Sequence, residues 1–159
     1  METLHANCTY YRKTFEELTE EELCLLEKAR NATYRSYSPY SHFRVGAAVM
    51  LDDGTVVSGS NQENVSYSMT LCAERTALFY ANSRYPDRKV SQVCIAARST
   101  DGSFTPQPIT PCGACRQVML EVEDRQGAPV RIMLCGTEEV YIVNSAKDLL
   151  PISFDNTYL

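Results

Sequence analysis

No apolar run in this sequence is long enough to span a bilayer, and no basic-then-apolar amino terminus announces export. The expectation is a soluble, cytoplasmic chain with no membrane partner. Clustered lysine and arginine are also missing: the net charge is −5 and the basic residues are scattered. A surface that neutralises many phosphates needs them massed together, so a nucleic-acid partner is disfavoured. There is no Pro/Gly-rich tract, repeat, low-complexity run or linker, and 44% of residues are hydrophobic against 22% charged. The expected organisation is one domain over 1–159, with 1–18 as a loose N-terminal extension.

A chain of 159 residues buries roughly two-thirds of its unfolded surface without metal or disulfide staples. Any bound metal is therefore expected to be functional. The seven cysteines (Cys8, Cys24, Cys72, Cys94, Cys112, Cys115, Cys135) are an odd number. Reduced thiols or metal ligands are expected rather than bridges.

Thr19 and Glu22 have capping-box spacing ahead of a helix over Glu20 to Arg35, whose apolar face is expected to carry Leu23, Leu26 and Ala29 or Arg30. Pro39 stops it. "RVGAAVML" and "TVVSGS" flank Asp52-Asp53-Gly54, a hairpin signature. A helix follows from Cys72 to Ala81, then a strand-like run from Val90 to Ala97, which implies a parallel crossover. A third helix starts near Cys112 after an irregular proline-containing stretch. "VRIML" and "VYIVN" then read as antiparallel strands joined by "CGTEE". The sum is an α/β fold with a five-stranded mixed sheet between helices.

Within the Cys72 helix stands a carboxylate, Glu74, in an otherwise apolar run. Burying a charge costs several kcal/mol unless it is paired, hydrogen-bonded or near a metal. Cys112-Gly113-Ala114-Cys115 has the gap that lets two thiolates turn onto one ion, and Cys72 supplies a third sulfur. Both clusters sit at helix starts, where unpaired N–H groups favour thiolate. A redox dithiol would share the C-x-x-C spacing, but a thioredoxin-type motif wants a different βαβ setting, and Cys72 with Glu74 tilts the pattern to zinc.

A closed structural site needs four protein ligands. His5, His42, Cys94 and Cys135 are the remaining candidates, and none recurs at ligand spacing. With three ligands a position stays open for water, and Glu74 can carry protons between it and a leaving group. Arg75, next in the chain, can offset the thiolate charge.

"CAE", followed forty residues after its cysteine by "PCGAC", is a zinc nucleobase-deaminase signature in three-cysteine form. "SPYSHFRVGAAV", "GSNQENVSYSMTLCAERTALF", "PCGACRQVMLE" and "DLLPISF" together resemble the small homotetrameric cytidine deaminases, from about Tyr34 to Phe154. The resemblance implies that family's three-layer α-β-α sandwich, one Zn2+ per subunit on Cys72, Cys112 and Cys115, and Glu74 as proton shuttle. It also implies sugar binding by Asn61 and Glu63, packing of Phe43 beside the pyrimidine, and a base contact from the Ala73 backbone. Arg75 would support the thiolates, while Tyr67 and Phe154 would close a neighbouring subunit's pocket in a homotetramer. The tail "DNTYL" lacks the more acidic ending of such relatives, which leaves its subunit contacts open.

The implied activity is hydrolytic deamination of cytidine and deoxycytidine in pyrimidine salvage. Its rivals are a deaminase of the same fold acting on blasticidin S or a nucleobase, and a noncatalytic zinc-stabilised interaction module. The sugar pair argues against the first and an intact Glu74 against the second.

Overall fold

The computed structural model describes residues 1–159. Its first helix, α1 (Glu20–Ala32), begins at the predicted capping box: Glu22 N–H donates to Thr19 Oγ1 at 3.2 Å and Thr19 N–H to Glu22 Oε2 at 2.9 Å. A 3-10 turn over Thr33–Arg35 ends it, so the α-helix proper stops three residues short of the expected Arg35. The buried face carries Glu22, Leu25, Leu26, Ala29 and Ala32, whereas Leu23 is exposed. The apolar stripe is thus rotated from the one expected. Leu25, Leu26, Ala29 and Ala32, spaced i, i+1, i+4 and i+7, share one face, and Glu22, turned inward with them, meets Arg131 and Lys13.

Strands β1 (Tyr11–Lys13), β2 (Arg44–Leu51), β3 (Val56–Ser60), β4 (Val90–Arg98), β5 (Arg131–Cys135) and β6 (Val140–Val143) form one sheet in the order β1-β6-β5-β4-β2-β3. The sheet has six strands rather than the expected five. The addition is β1, which pairs antiparallel with β6 from within the segment expected to be loose. Three residues are too short to display strand alternation, and what holds β1 lies outside it: Lys13 reaches Glu22, and Arg12 reaches Glu139, far along the chain.

The β2–β3 hairpin forms across Asp52-Asp53-Gly54 as predicted. β4 pairs antiparallel with β2 and parallel with β5, and β5 with β6 is antiparallel. The crossover from β3 to β4 returns parallel, but with β2 inserted between the two strands.

Helices α2 (Ala73–Arg84) and α3 (Gly113–Gln126) cover the face opposite α1. Side chains along β4 alternate accordingly: Val93, Ile95 and Ala97 pack with Leu78, Met119 and Leu120, while Cys94 and Ala96 pack with Leu25, Leu26 and Ala29. This is the three-layer α-β-α sandwich. Two glycines on the hairpin let the layers close. A Cβ on Gly46 would stand 2.1 Å from Ala29 O of α1, and one on Gly59 would stand 2.6 Å from Ala77 N of α2. No helix is long and apolar enough to cross a membrane.

Candidate active site

The crossover topology brings the starts of α2 and α3 together at one end of the sheet. Cys72 is the N-cap of α2, Cys112 is the N-cap of α3, and Cys115 lies in the first turn of α3. Their Sγ atoms all lie within 4.8 Å of one another, with Cys72 to Cys112 at 3.7 Å and Cys112 to Cys115 at 3.4 Å. Three thiolates at ~2.3 Å from a tetrahedral zinc would stand about 3.8 Å apart, so the triangle fits such an ion with little movement.

No histidine, carboxylate or further cysteine joins the cluster. Cys94 and Cys135, weighed above as a fourth ligand, are buried under α1 on the other side of the sheet.

Charge in the triangle is unevenly held. The neighbouring Cys115 thiol, opposed by burial and reinforced by Arg75, brings the Cys72 thiol down to about 5, while Cys115 is pushed up. Arg75 Nη2 donates to Cys72 Sγ at 3.7 Å and to Thr70 O at 3.3 Å. This is the contact expected of an arginine that offsets thiolate charge, and Cys72 in turn raises Arg75.

A cavity of about 270 Å³ opens beside the sulfurs, lined by Cys72, Cys112, Glu74, Phe43, Asn61 and Glu63, with Ser41, Val45, Thr70, Ile109 and Thr110 completing its wall. Glu74 stands in the first turn of α2, 4% exposed and with no ion pair. Burial, with the Cys72 charge adding to it, pushes its carboxyl above the usual range. Ala73, fully buried, begins the same turn.

On the opposite wall the hairpin ends in Asn61 and Glu63. Asn61 Oδ1 accepts from Val45 N–H at 2.8 Å and from Ser36 Oγ–H at 2.6 Å, while its Nδ2 donates to Phe43 O at 2.9 Å. One amide hydrogen is left over. Glu63 accepts from Tyr40 N–H at 2.9 Å, Ser41 N–H at 3.3 Å and Ser41 Oγ–H at 2.5 Å.

Two expected site residues do not reach this cavity. Tyr67 is exposed and packs edge-on against Tyr40, with centroids 6.0 Å apart, in an adjoining groove. Phe154 is also exposed, stacked on Tyr158 at 5.6 Å, and its carbonyl accepts from Gln117 at 2.8 Å. Conversely, Ser41, Thr70, Ile109 and Thr110 line the cavity without having been singled out. Ser41 lay inside "SPYSHF" and Ile109-Thr110 directly ahead of "PCGAC", so adjacency to the motifs was the available signal.

Residues 19–127 match the cytidine and deoxycytidylate deaminase zinc-binding region, well over half of the chain. The chain belongs to this family. It is 46% identical over 125 residues to a cytidine deaminase of Sporosarcina psychrophila, covering 79% of each chain. It is 48% identical over 98 residues to one of Halalkalibacterium halodurans, covering 62% of this chain and 69% of the relative. Among solved structures, cytidine deaminase from Burkholderia pseudomallei superposes with a TM-score of 0.72 at 40% identity, over 86% of this chain and 100% of that one. The family's zinc-binding region contains the three cysteines brought together above.

Proposed function

We propose that the chain hydrolyses cytidine and deoxycytidine to uridine and deoxyuridine, releasing ammonia. The observation that carries this reading is Glu74: a buried carboxyl with no ion pair, facing the same cavity as Cys72 and Cys112, whose opposite wall ends in Asn61 and Glu63. Cys72, Cys112 and Cys115 would hold one zinc per chain, which when bound supplies a Lewis acid able to lower the pKa of water to about 7.

The chain's own residues then supply the proton traffic and the orientation. Glu74, as the carboxylate, takes one proton from water as its oxygen adds at carbon 4 and donates that proton to ring nitrogen 3. It then takes the second proton from the added hydroxyl and gives it to the exocyclic nitrogen, which leaves as ammonia as the C–N bond breaks and the carbon 4 carbonyl forms. Ala73 N–H donates to the base edge, and the Phe43 ring packs beside the pyrimidine. Asn61 presents its remaining amide hydrogen, and Glu63 an acceptor, to the sugar hydroxyls. The lining of the cavity contains two carboxylates and no lysine or arginine. That polarity favours a nucleoside over its phosphate ester.

The same reading places the chain in pyrimidine nucleoside salvage in the cytoplasm, as one domain over 1–159. Tyr67 and Phe154, exposed and outside the cavity of their own chain, support a homotetramer in which each chain closes a neighbour's pocket. Sedimentation of a fully active monomer would contradict that assembly. Ammonia release assayed with cytidine, deoxycytidine, deoxycytidylate, cytosine and blasticidin S tests the substrate. Turnover of the two nucleosides is expected, and turnover confined to any of the others overturns the reading.

A further inference from the structure

We propose that Ser41 is a positioning residue for nucleoside binding: its hydroxyl locks the orientation of the Glu63 carboxylate and ties it to the loop that carries Phe43. The inference rests on the nucleoside reading above and specifies how that pocket orients its sugar.

A hydroxyl has one hydrogen to give. Phe43 N–H donates to Ser41 Oγ at 3.0 Å, which uses a lone pair there, and Ser41 Oγ–H goes to Glu63 Oε1 at 2.5 Å. Ser41 therefore joins the polar wall of the cavity to its aromatic wall through a single oxygen atom. The other carboxylate oxygen, Oε2, accepts from Tyr40 N–H at 2.9 Å and Ser41 N–H at 3.3 Å.

An ionised carboxylate offers about four lone-pair sites. The loop occupies three of them, from both oxygens, and so fixes the carboxylate plane. One acceptor site is left, with a defined direction, for a hydroxyl arriving in the cavity. Removing the Ser41 hydroxyl frees Oε1 while the two N–H groups still hold Oε2. The carboxylate stays in place but loses its fixed plane.

The loop is shaped for this contact. His42, between Ser41 and Phe43, has φ 56°, in the left-handed region, and its N–H bonds Ser38 O at 3.0 Å. Such a conformation is uncommon for a non-glycine residue and persists where the surroundings over-determine it. Here it turns the Phe43 N–H back onto Ser41 Oγ before the chain enters β2. The direction of the Glu63 titration agrees: burial raises its carboxyl, but the Ser41 hydroxyl and the Tyr40 and Ser41 N–H groups outweigh that and hold it below the usual range, as a pure acceptor.

The test is a double-mutant cycle on the full-length, zinc-loaded chain, with steady-state kinetics on cytidine, calorimetric binding of uridine, zinc content and melting temperature. Ser41→Ala should keep zinc and melting temperature, raise KM and weaken uridine binding about three- to tenfold, and leave kcat within about twofold. Ser41→Thr, which restores a hydroxyl, should recover most of the loss. If the hydroxyl acts through Glu63, adding Ser41→Ala to Glu63→Ala changes kcat/KM by less than about twofold. Normal KM and uridine affinity in Ser41→Ala, or a full multiplicative loss in the double variant, overturns the assignment. If the unsubstituted chain neither deaminates cytidine nor binds uridine, the nucleoside reading itself falls and this inference with it. Normal unsubstituted behaviour beside a silent Ser41→Ala sinks only the role of Ser41.

Discussion

Glu22 and Glu74 are almost equally hidden, 2% and 4% exposed, and each stands in the first turn of a helix. Their surroundings are opposite. Glu22 caps Thr19, meets Arg131 and Lys13, and is held below the usual carboxylate range because those partners outweigh its burial. Glu74 has no ion pair, faces a cavity beside the sulfurs, and is raised by burial. Two acids of the same type and burial thus do different jobs. A buried carboxylate surrounded by donors joins secondary-structure elements, whereas one left short of partners at a cavity wall is available to a substrate.

The cysteines repeat the contrast. Cys94 and Cys135 bring their sulfurs to 3.4 Å, the same separation as Cys112 and Cys115, yet they lie buried on strands β4 and β5 under α1, and burial raises Cys94 well above an ordinary thiol. The other pair sits at a helix start next to a cavity. Separation alone does not make a metal site; a third sulfur, Cys72, held low by its neighbours, and access to the cavity do.

The largest expected effect separates these two sets of thiols. Cys112→Ala or Cys115→Ala should reduce zinc after dialysis from about one per chain to under about a tenth, since two ligands cannot complete three-point binding. Cys94→Ala should keep the metal. Retention in all three variants would erase the distinction between the clusters. Next comes Glu74→Gln, expected to keep zinc and melting temperature while turnover falls by roughly 10²- to 10⁴-fold, the range for losing a general acid/base. Near-normal turnover would return Glu74 to the same structural class as Glu22. A smaller effect belongs to Glu63, which is buried less and satisfied by one loop. Glu63→Ala should lower kcat/KM for cytidine by about ten- to a hundredfold and leave any reaction with free cytosine nearly unchanged. Equal slowing of both substrates would remove the sugar clamp.

Much of the site was legible because its chemistry is local in sequence. Cys72 and Glu74 share one helical turn, and Cys112 and Cys115 another, so spacing alone brings each pair near one point. That the two turns meet depends on a crossover, which the alternation of strand and helix implied. Phe43, Asn61 and Glu63 were reached through resemblance, and the cavity contains all three. What escaped depends on distant partners. The pairing of β1 with β6 joins residues well over a hundred positions apart, and the face of α1 that turns inward brings Glu22 to Arg131, a partner that is likewise over a hundred positions away. Ser41 escaped for a different reason. Its hydroxyl links Glu63 to Phe43 across a turn at His42 whose φ is rarely populated, which residue type does not announce.

The smallest expected effect is on stability, and it tests the other half of the comparison. Glu22→Gln removes the charge between Arg131 and Lys13. Breaking a fully buried pair costs roughly 3 to 5 kcal/mol, but Arg131 and Lys13 keep 29% and 27% of their side chains exposed. Water can therefore compensate them in part, and a loss of about 1 to 3 kcal/mol near neutral pH is the appropriate scale. Glu22 titrates below its unfolded value, so the unfolded chain binds its proton first as pH falls. Its stabilisation is fully present above about pH 4.3 and is lost as pH falls through the lower folded value. Urea unfolding of the metal-free chain at a series of pH values should accordingly show the gap between unsubstituted protein and Glu22→Gln closing below about pH 4. Activity per folded molecule should stay within about twofold, because Glu22 lies in the α1 layer, on the face of the sheet opposite α2 and α3. A gap that stays constant down to pH 3 would mean that Glu22 contributes by packing and not by charge, and the contrast with Glu74 would then rest on position alone.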